Sequence, residues 1–108
     1  MKMNKWLVIL LLATGPAHAE FYNGNELYER MRSRESMERL EALMYIAGAA
    51  DAHRGAVSCP SPEVTLGQVY DLVKNYLERN PERRHQPGDW IVAAAMRPVF
   101  PCRARSGT

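Results

Sequence analysis

The 108-residue chain reads as all-α: a small bundle of about four helices held by one disulfide. Three observations predict this. Four segments carry their apolar residues at helical spacing, and none alternates as a strand does. Asn, Gly and Pro clusters punctuate those segments. The chain has two cysteines, Cys59 and Cys102, in a part of the sequence that reads as exported.

Export is predicted by residues 1–19. Lys2 and Lys5 form a positive start, and Trp6 to Ala13 is an unbroken apolar run. Gly15 and Pro16 break it, and Ala17-His18-Ala19 fits the small-x-small cleavage rule. The run falls far short of the roughly 20 apolar residues that span a bilayer, so an uncleaved anchor is the weaker reading. No Cys follows the run, which argues against a lipid-anchored leader. Cleavage after Ala19 leaves residues 20–108 as one 89-residue domain with no membrane attachment.

Cleavage also changes the charge. The whole chain has 14 Lys+Arg against 12 Asp+Glu, and the leader removes Lys2 and Lys5, leaving 12 of each. A neutral domain has no net positive footprint for nucleic acid.

In an oxidising compartment the two cysteines are most simply a disulfide. They lie 43 positions apart, and closing so large a loop is worth about 4 kcal/mol on the chain-entropy model. A redox-active thiol is the rival, disfavoured by the lack of a Cys-x-x-Cys. A metal site is weaker still, because only His53 and His85 survive cleavage and neither has ligand spacing to a cysteine.

The helices follow in order. Asn25 is read as the cap of a short first helix, Glu26 to about Arg32, with Leu27 and Met31 inward. A second runs from about Glu35 to His53. Met37, Leu40, Met44, Ala47 and Ala50 form its predicted inner stripe, widened by Leu43 and Ile46. Gly55 stops it after Arg54. Residues 55–64 form a loop, because Pro60 and Pro62 forbid a continuous helix there. Thr65-Leu66-Gly67-Gln68 is a capping box opening the third helix, with Val64 and Val69 as a hydrophobic staple. Its apolar face is Leu66, Val69, Leu72, Val73, Tyr76 and Leu77, and Asn80-Pro81 ends it. Residues 81–88 are a polar connector. Asp89 is read as the cap of a fourth helix starting at Trp90, with Ile91, Ala94 and Ala95 inward and Pro98 ending it near Arg97. The tail after Cys102 is expected to fray.

Catalytic patterns are poor. There is no Gly-x-Ser-x-Gly, His-Glu-x-x-His or phosphate-binding glycine loop. Ser58 reads better as a loop polar residue than a nucleophile, and His85 better as a solvated histidine than a base. The chain is therefore read as no enzyme, with no cofactor and no metal. The candidate partner-binding surface is Arg83, Arg84 and His85 with Trp90, since Arg and Trp dominate interface hot spots. The competing reading makes Trp90 core and the arginines solvated. Tyr45 and Asp51 carry a similar ambiguity and can be buried, paired structural residues.

Several segments, taken together and in order, resemble a known family. They are Asn25-Glu26-Leu27-Tyr28-Glu29-Arg30, Tyr45-Ile46-Ala47-Gly48 with Asp51-Ala52, and Cys59-Pro60 leading into Val64-Thr65-Leu66-Gly67-Gln68. Tyr76-Leu77, Asn80-Pro81-Glu82-Arg83-Arg84-His85 and Phe100-Pro101-Cys102 complete the set. This ordering is similar to the Rap/Tai family of immunity proteins, small secreted helical proteins of Gram-negative bacteria. The resemblance implies a periplasmic protein that binds and inhibits a peptidoglycan amidase delivered by type VI secretion. It also implies dimers as a family habit. Many relatives carry a second cysteine pair, at places that fall here on Met31 and Ala42, and Pro98 interrupts a helix that usually continues. The alternative is a small periplasmic acid-stress chaperone, also helical and disulfide-bonded. The well-capped third helix and the lack of a long acidic cluster argue against it.

Overall fold

The computed structural model describes residues 22–103. The signal-peptide reading and the frayed-tail reading from Ala104 onward lie outside those residues. Within them the chain forms four α-helices: α1 (Gly24–Met31), α2 (Ser36–His53), α3 (Leu66–Arg79) and α4 (Gly88–Met96). A 3-10 turn, Pro81–Arg83, lies between α3 and α4. Among the described residues there is no strand, only two isolated bridges, Asn23 with Pro87 and Arg54 with Ser58.

The helix starts show how local chemistry chose the boundaries. Asn23, and not Asn25, caps α1: its Oδ1 accepts the Glu26 N–H at 2.9 Å, and the Glu26 carboxylate accepts the Asn23 N–H at 3.0 Å. That reciprocal pair is a capping box, and its acid three positions on is the signal that separates Asn23 from Asn25. Thr65 and Gln68 form the same box on α3, at 3.2 and 2.8 Å. Thr65→Ala should therefore cost about 1 kcal/mol in an urea denaturation measurement, and an unchanged midpoint would deny the cap its role.

Asp89 does not cap α4. The helix begins at Gly88, two residues before the expected Trp90, and Gly88 donates its N–H to the Tyr22 carbonyl at 2.8 Å. Asp89 sits in the first turn, where its charge still suits the positive helix end. Gly55 adopts φ +83° just past the C-cap Arg54, the left-handed stop expected of a glycine there.

The core is built from Leu27 and Met31 of α1, Ala42, Ile46 and Ala50 of α2, Val69, Val73 and Leu77 of α3, and Ile91, Val92, Ala95 and Met96 of α4. Five tyrosines, Ala49, Val64 and Phe100 close its rim. Met31 and Ala42, the positions at which the resemblance implies a second cysteine pair elsewhere, are buried apolar members of that core. α4 is apolar almost all round, and packing against the other three helices buries six of its nine residues.

The inner stripe expected on α2 holds at Ile46 and Ala50 and fails over the helix's first half. Met37, Leu40 and Met44 are 64, 47 and 58% exposed, while Ala42, not expected inward, is buried beside Ile46 and Ala50, which were. The reason lies in the helix itself, which is apolar on two sides. Its spacing fits either face, and periodicity alone cannot choose between them. Leu66 on α3 is likewise half out of the core, while Val69, Val73 and Leu77 form the buried face as expected.

Cys59 and Cys102 are bonded, with Cα atoms 4.9 Å apart. The Cys59 N–H also donates to the Phe100 carbonyl at 2.8 Å. The loop after α2 is thus fastened to the segment that follows α4.

Candidate functional site

The connector between α3 and α4 is the region the sequence singles out for binding, and it is rigidly held. Its backbone lies along the start of α1. Gly24 N–H donates to the Gln86 carbonyl at 2.8 Å, and Asn25 N–H donates to the Arg84 carbonyl at 2.7 Å. With the reciprocal pair between Asn23 and Glu26, all four unpaired donors at the α1 N-terminus are satisfied, two of them by the connector. Contact is close enough that glycine is required at position 24. A Cβ there would lie 2.6 Å from the Arg84 carbonyl oxygen and 2.9 Å from the Arg84 Cα.

Four residues were singled out here, and they divide by job. Arg84 is half-buried and structural. Its Nε donates to the Leu77 carbonyl at 2.7 Å, and its guanidinium lies 4.3 Å from the Tyr28 ring centre. It thereby satisfies a carbonyl in the last turn of α3 and ties that helix to α1. Arg83 and His85 flank it and point outward. Both are exposed, and Arg83 makes only a loose pair with Glu82 at 3.8 Å. Such an exposed pair is worth little.

Trp90 is 47% exposed, so it is not a core residue. It opens on a different feature, a cleft of about 190 Å³ lined by His53, Val57, Asp89, Ala93, Ala94 and Arg97. The connector side chains do not line that cleft. The structure therefore presents Arg83 and His85 on one ledge and Trp90 on a neighbouring cleft.

Other residues raised as chemical candidates have structural surroundings. Ser58 is fully buried, with its Oγ unpaired, and nothing can approach it as a substrate would. Asp51 is exposed and pairs with Arg54 at 3.7 Å. Tyr45 is half-buried, its ring 5.0 Å from that of Tyr22. Arg30 completes this corner, lying over the Tyr22 ring at 4.3 Å and donating to Glu41 at 3.2 Å. Among the described residues no group of three His, Cys, Asp or Glu side chains is placed to hold a metal ion. No helix among them is long and apolar enough to cross a membrane.

Sequence reasoning missed a larger groove, about 680 Å³, between the first half of α2 and the start of α3. Leu40, Leu43, Arg39, Gln68, Tyr70 and Asp71 contribute to its walls. Burial pushes the Tyr70 phenol above its ordinary pKa, so it stays a neutral donor near the Met31 carbonyl at 3.5 Å. The signal for this groove lay in the two-sided apolar pattern of α2.

These features define a class: a small, disulfide-closed helical scaffold with an exposed polar connector fastened by backbone hydrogen bonds. The chain belongs to the Rap1a immunity proteins, whose family model matches residues 23–102. No curated protein matches it. The match spans all four helices and both disulfide cysteines.

Proposed function

We propose that this immunity protein acts in the periplasm, where it binds and inhibits a peptidoglycan amidase delivered by type VI secretion. The observation that carries the reading is the family match across the whole described fold. The apparent signal at residues 1–19 supports the compartment. An inhibitor of this kind needs a stiff surface and no chemistry of its own. A loop already held in its bound shape loses less freedom on binding, which favours affinity.

The contact surface is the connector ledge with the neighbouring cleft. Arg83, His85 and Trp90 reach the toxin directly. Arg84 serves the same surface by holding its backbone in place. The family resemblance adds a second copy of the chain as a further partner.

Compartment gives the sharpest test. Cells making the full chain should survive a periplasmically directed cognate amidase, and cells making the chain from Glu20 onward should lyse. Purified protein should abolish amidase activity near equimolar ratio. Arg83→Glu with His85→Glu, or Trp90→Ala, should weaken binding by roughly thirtyfold or more, the scale of an interface hot spot, with the helical spectrum unchanged. Unchanged affinity would move the interface away from this ledge. Failure to bind any amidase encoded beside the gene, with protection of unfolded clients at low pH, would replace immunity by chaperoning.

A further inference from the structure

Four side chains of the Trp90 cleft have hydrogen-bonding capacity that the fold does not use. His53, the last residue of α2, lines the cleft with its Nε2 fully buried and unpaired. Asp89 and Trp90 of α4 and Arg97 at its C-cap line it too. Among the described residues, none of those three side chains makes a hydrogen bond or ion pair. Arg30, Arg39, Arg54 and Arg84, by contrast, each hold a partner within the chain.

The shape of the cleft follows from the sequence of α4. Positions 89, 93 and 97, with 90 and 94, fall on one side of a helix. Ala93 and Ala94 therefore floor a trough between the Asp89–Trp90 end and Arg97, and His53 and Val57 wall it from the α2 side. At about 190 Å³ the trough is smaller than the roughly 300–1,000 Å³ of a small-molecule site. It has room for one side chain of a partner.

The buried nitrogen indicates what that side chain carries. A polar atom buried without a partner bears its full desolvation penalty, which a bound hydrogen-bonding group recovers. Arg97 shares the cleft, and a guanidinium only donates. The group that accepts from both an imidazole N–H and a guanidinium is a carboxylate. Trp90, Val57 and the two alanine methyls offer its stem an apolar lining. Asp89 does not oppose it. Asp89 precedes Arg97 by eight residues, about 12 Å of helix, beyond the Debye length of about 8 Å. The helix dipole accounts for the signs at the two ends of α4, but not for the unpaired nitrogen of His53.

We propose that the cleft receives an acidic side chain of the toxin, its carboxylate held between Arg97 and His53 and its stem against Trp90. The proposal rests on the toxin contact read above and names the chemistry that enters there.

Butyrate, a glutamate side chain cut free at its Cα, is the probe. In nitrogen-edited NMR of the disulfide-closed protein, butyrate should shift the His53 imidazole and Trp90 indole signals together at millimolar concentration, the affinity scale of so small a ligand. Butylamine and butyramide should not. Arg97→Gln removes the charge and Ala94→Leu fills the floor. Each should raise the butyrate dissociation constant about tenfold or more, the scale of one charge-assisted hydrogen bond, with the helical spectrum unchanged. The same two variants should weaken the toxin about tenfold or more. Shifts with butylamine instead, no shift with butyrate, or toxin binding indifferent to both variants would overturn the proposal. An amidase bound without butyrate bound removes this proposal and keeps the toxin reading. Butyrate bound where no amidase binds removes the toxin as the source of the side chain.

Discussion

Replacing Cys59 with Ser should lower the stability of the domain by about 4 kcal/mol, the loop-closure value for a bridge spanning 43 residues. For a domain of this size that corresponds to a fall of roughly 15–30 °C in melting temperature. Against a usual total of about 5–15 kcal/mol, a loss of this size threatens folding at growth temperature. The anchored segments make the effect local as well as global. Without the bridge, Phe100 is held at the core rim chiefly by backbone bonds, its carbonyl to Cys59 and its N–H to Met96. Thermal melts of wild type and Cys59→Ser, followed at a helical wavelength, measure the difference. A shift of only a few degrees would show that the closed loop contributes little.

Gly24→Ala should destabilise by about 2–3 kcal/mol, the upper part of the range for forcing an atom into a filled space. Helix propensity alone predicts the opposite sign, because alanine favours helix over glycine. The clash decides. The added Cβ meets Arg84 backbone, and backbone cannot swing aside as the end of a side chain can. Relief requires parting α1 from the connector, which breaks the bonds from Gly24 and Asn25 to Gln86 and Arg84. Gly48→Ala is the control: nothing opposes its Cβ, so the isolated chain should gain up to about 1 kcal/mol. Denaturant midpoints of the two variants at dilute concentration should therefore move in opposite directions. Parallel shifts would mean that the connector is not packed on α1 as described.

The sequence carried the fold wherever signals are local. Thr65 and Gln68, Gly55, Asn80-Pro81 and Pro98 each mark an element end through chemistry confined to a few residues. The disulfide followed from compartment and count. Legibility ended where a choice depended on distant residues. Which side of α2 turns inward depends on how α1, α3 and α4 pack, and both sides carry enough apolar residues to qualify. α4 starts at Gly88 because Tyr22 supplies a carbonyl and Tyr45 leaves no room for a Cβ, neither of which the local sequence reveals. The candidate site divides likewise. Its position in the connector was readable from the Arg-Arg-His run. That Arg84 serves the scaffold follows only from its contacts with Leu77 and Tyr28, seven and 56 positions away.

The place of α4 has a consequence for when this chain can fold. The helix at the centre of the bundle is the last of the four described to be synthesised, and the second cysteine follows it. A nascent chain stopped after α3 would have Leu27, Ile46, Val73 and Leu77 with no central helix to close over them. The domain should therefore stay uncollapsed until α4 has been made, and its covalent lock cannot close before then. Folding waits on the most distant contacts, which makes it slow for a helical protein of this length. The export proposed above, by threading the chain through a membrane, would gain from that delay.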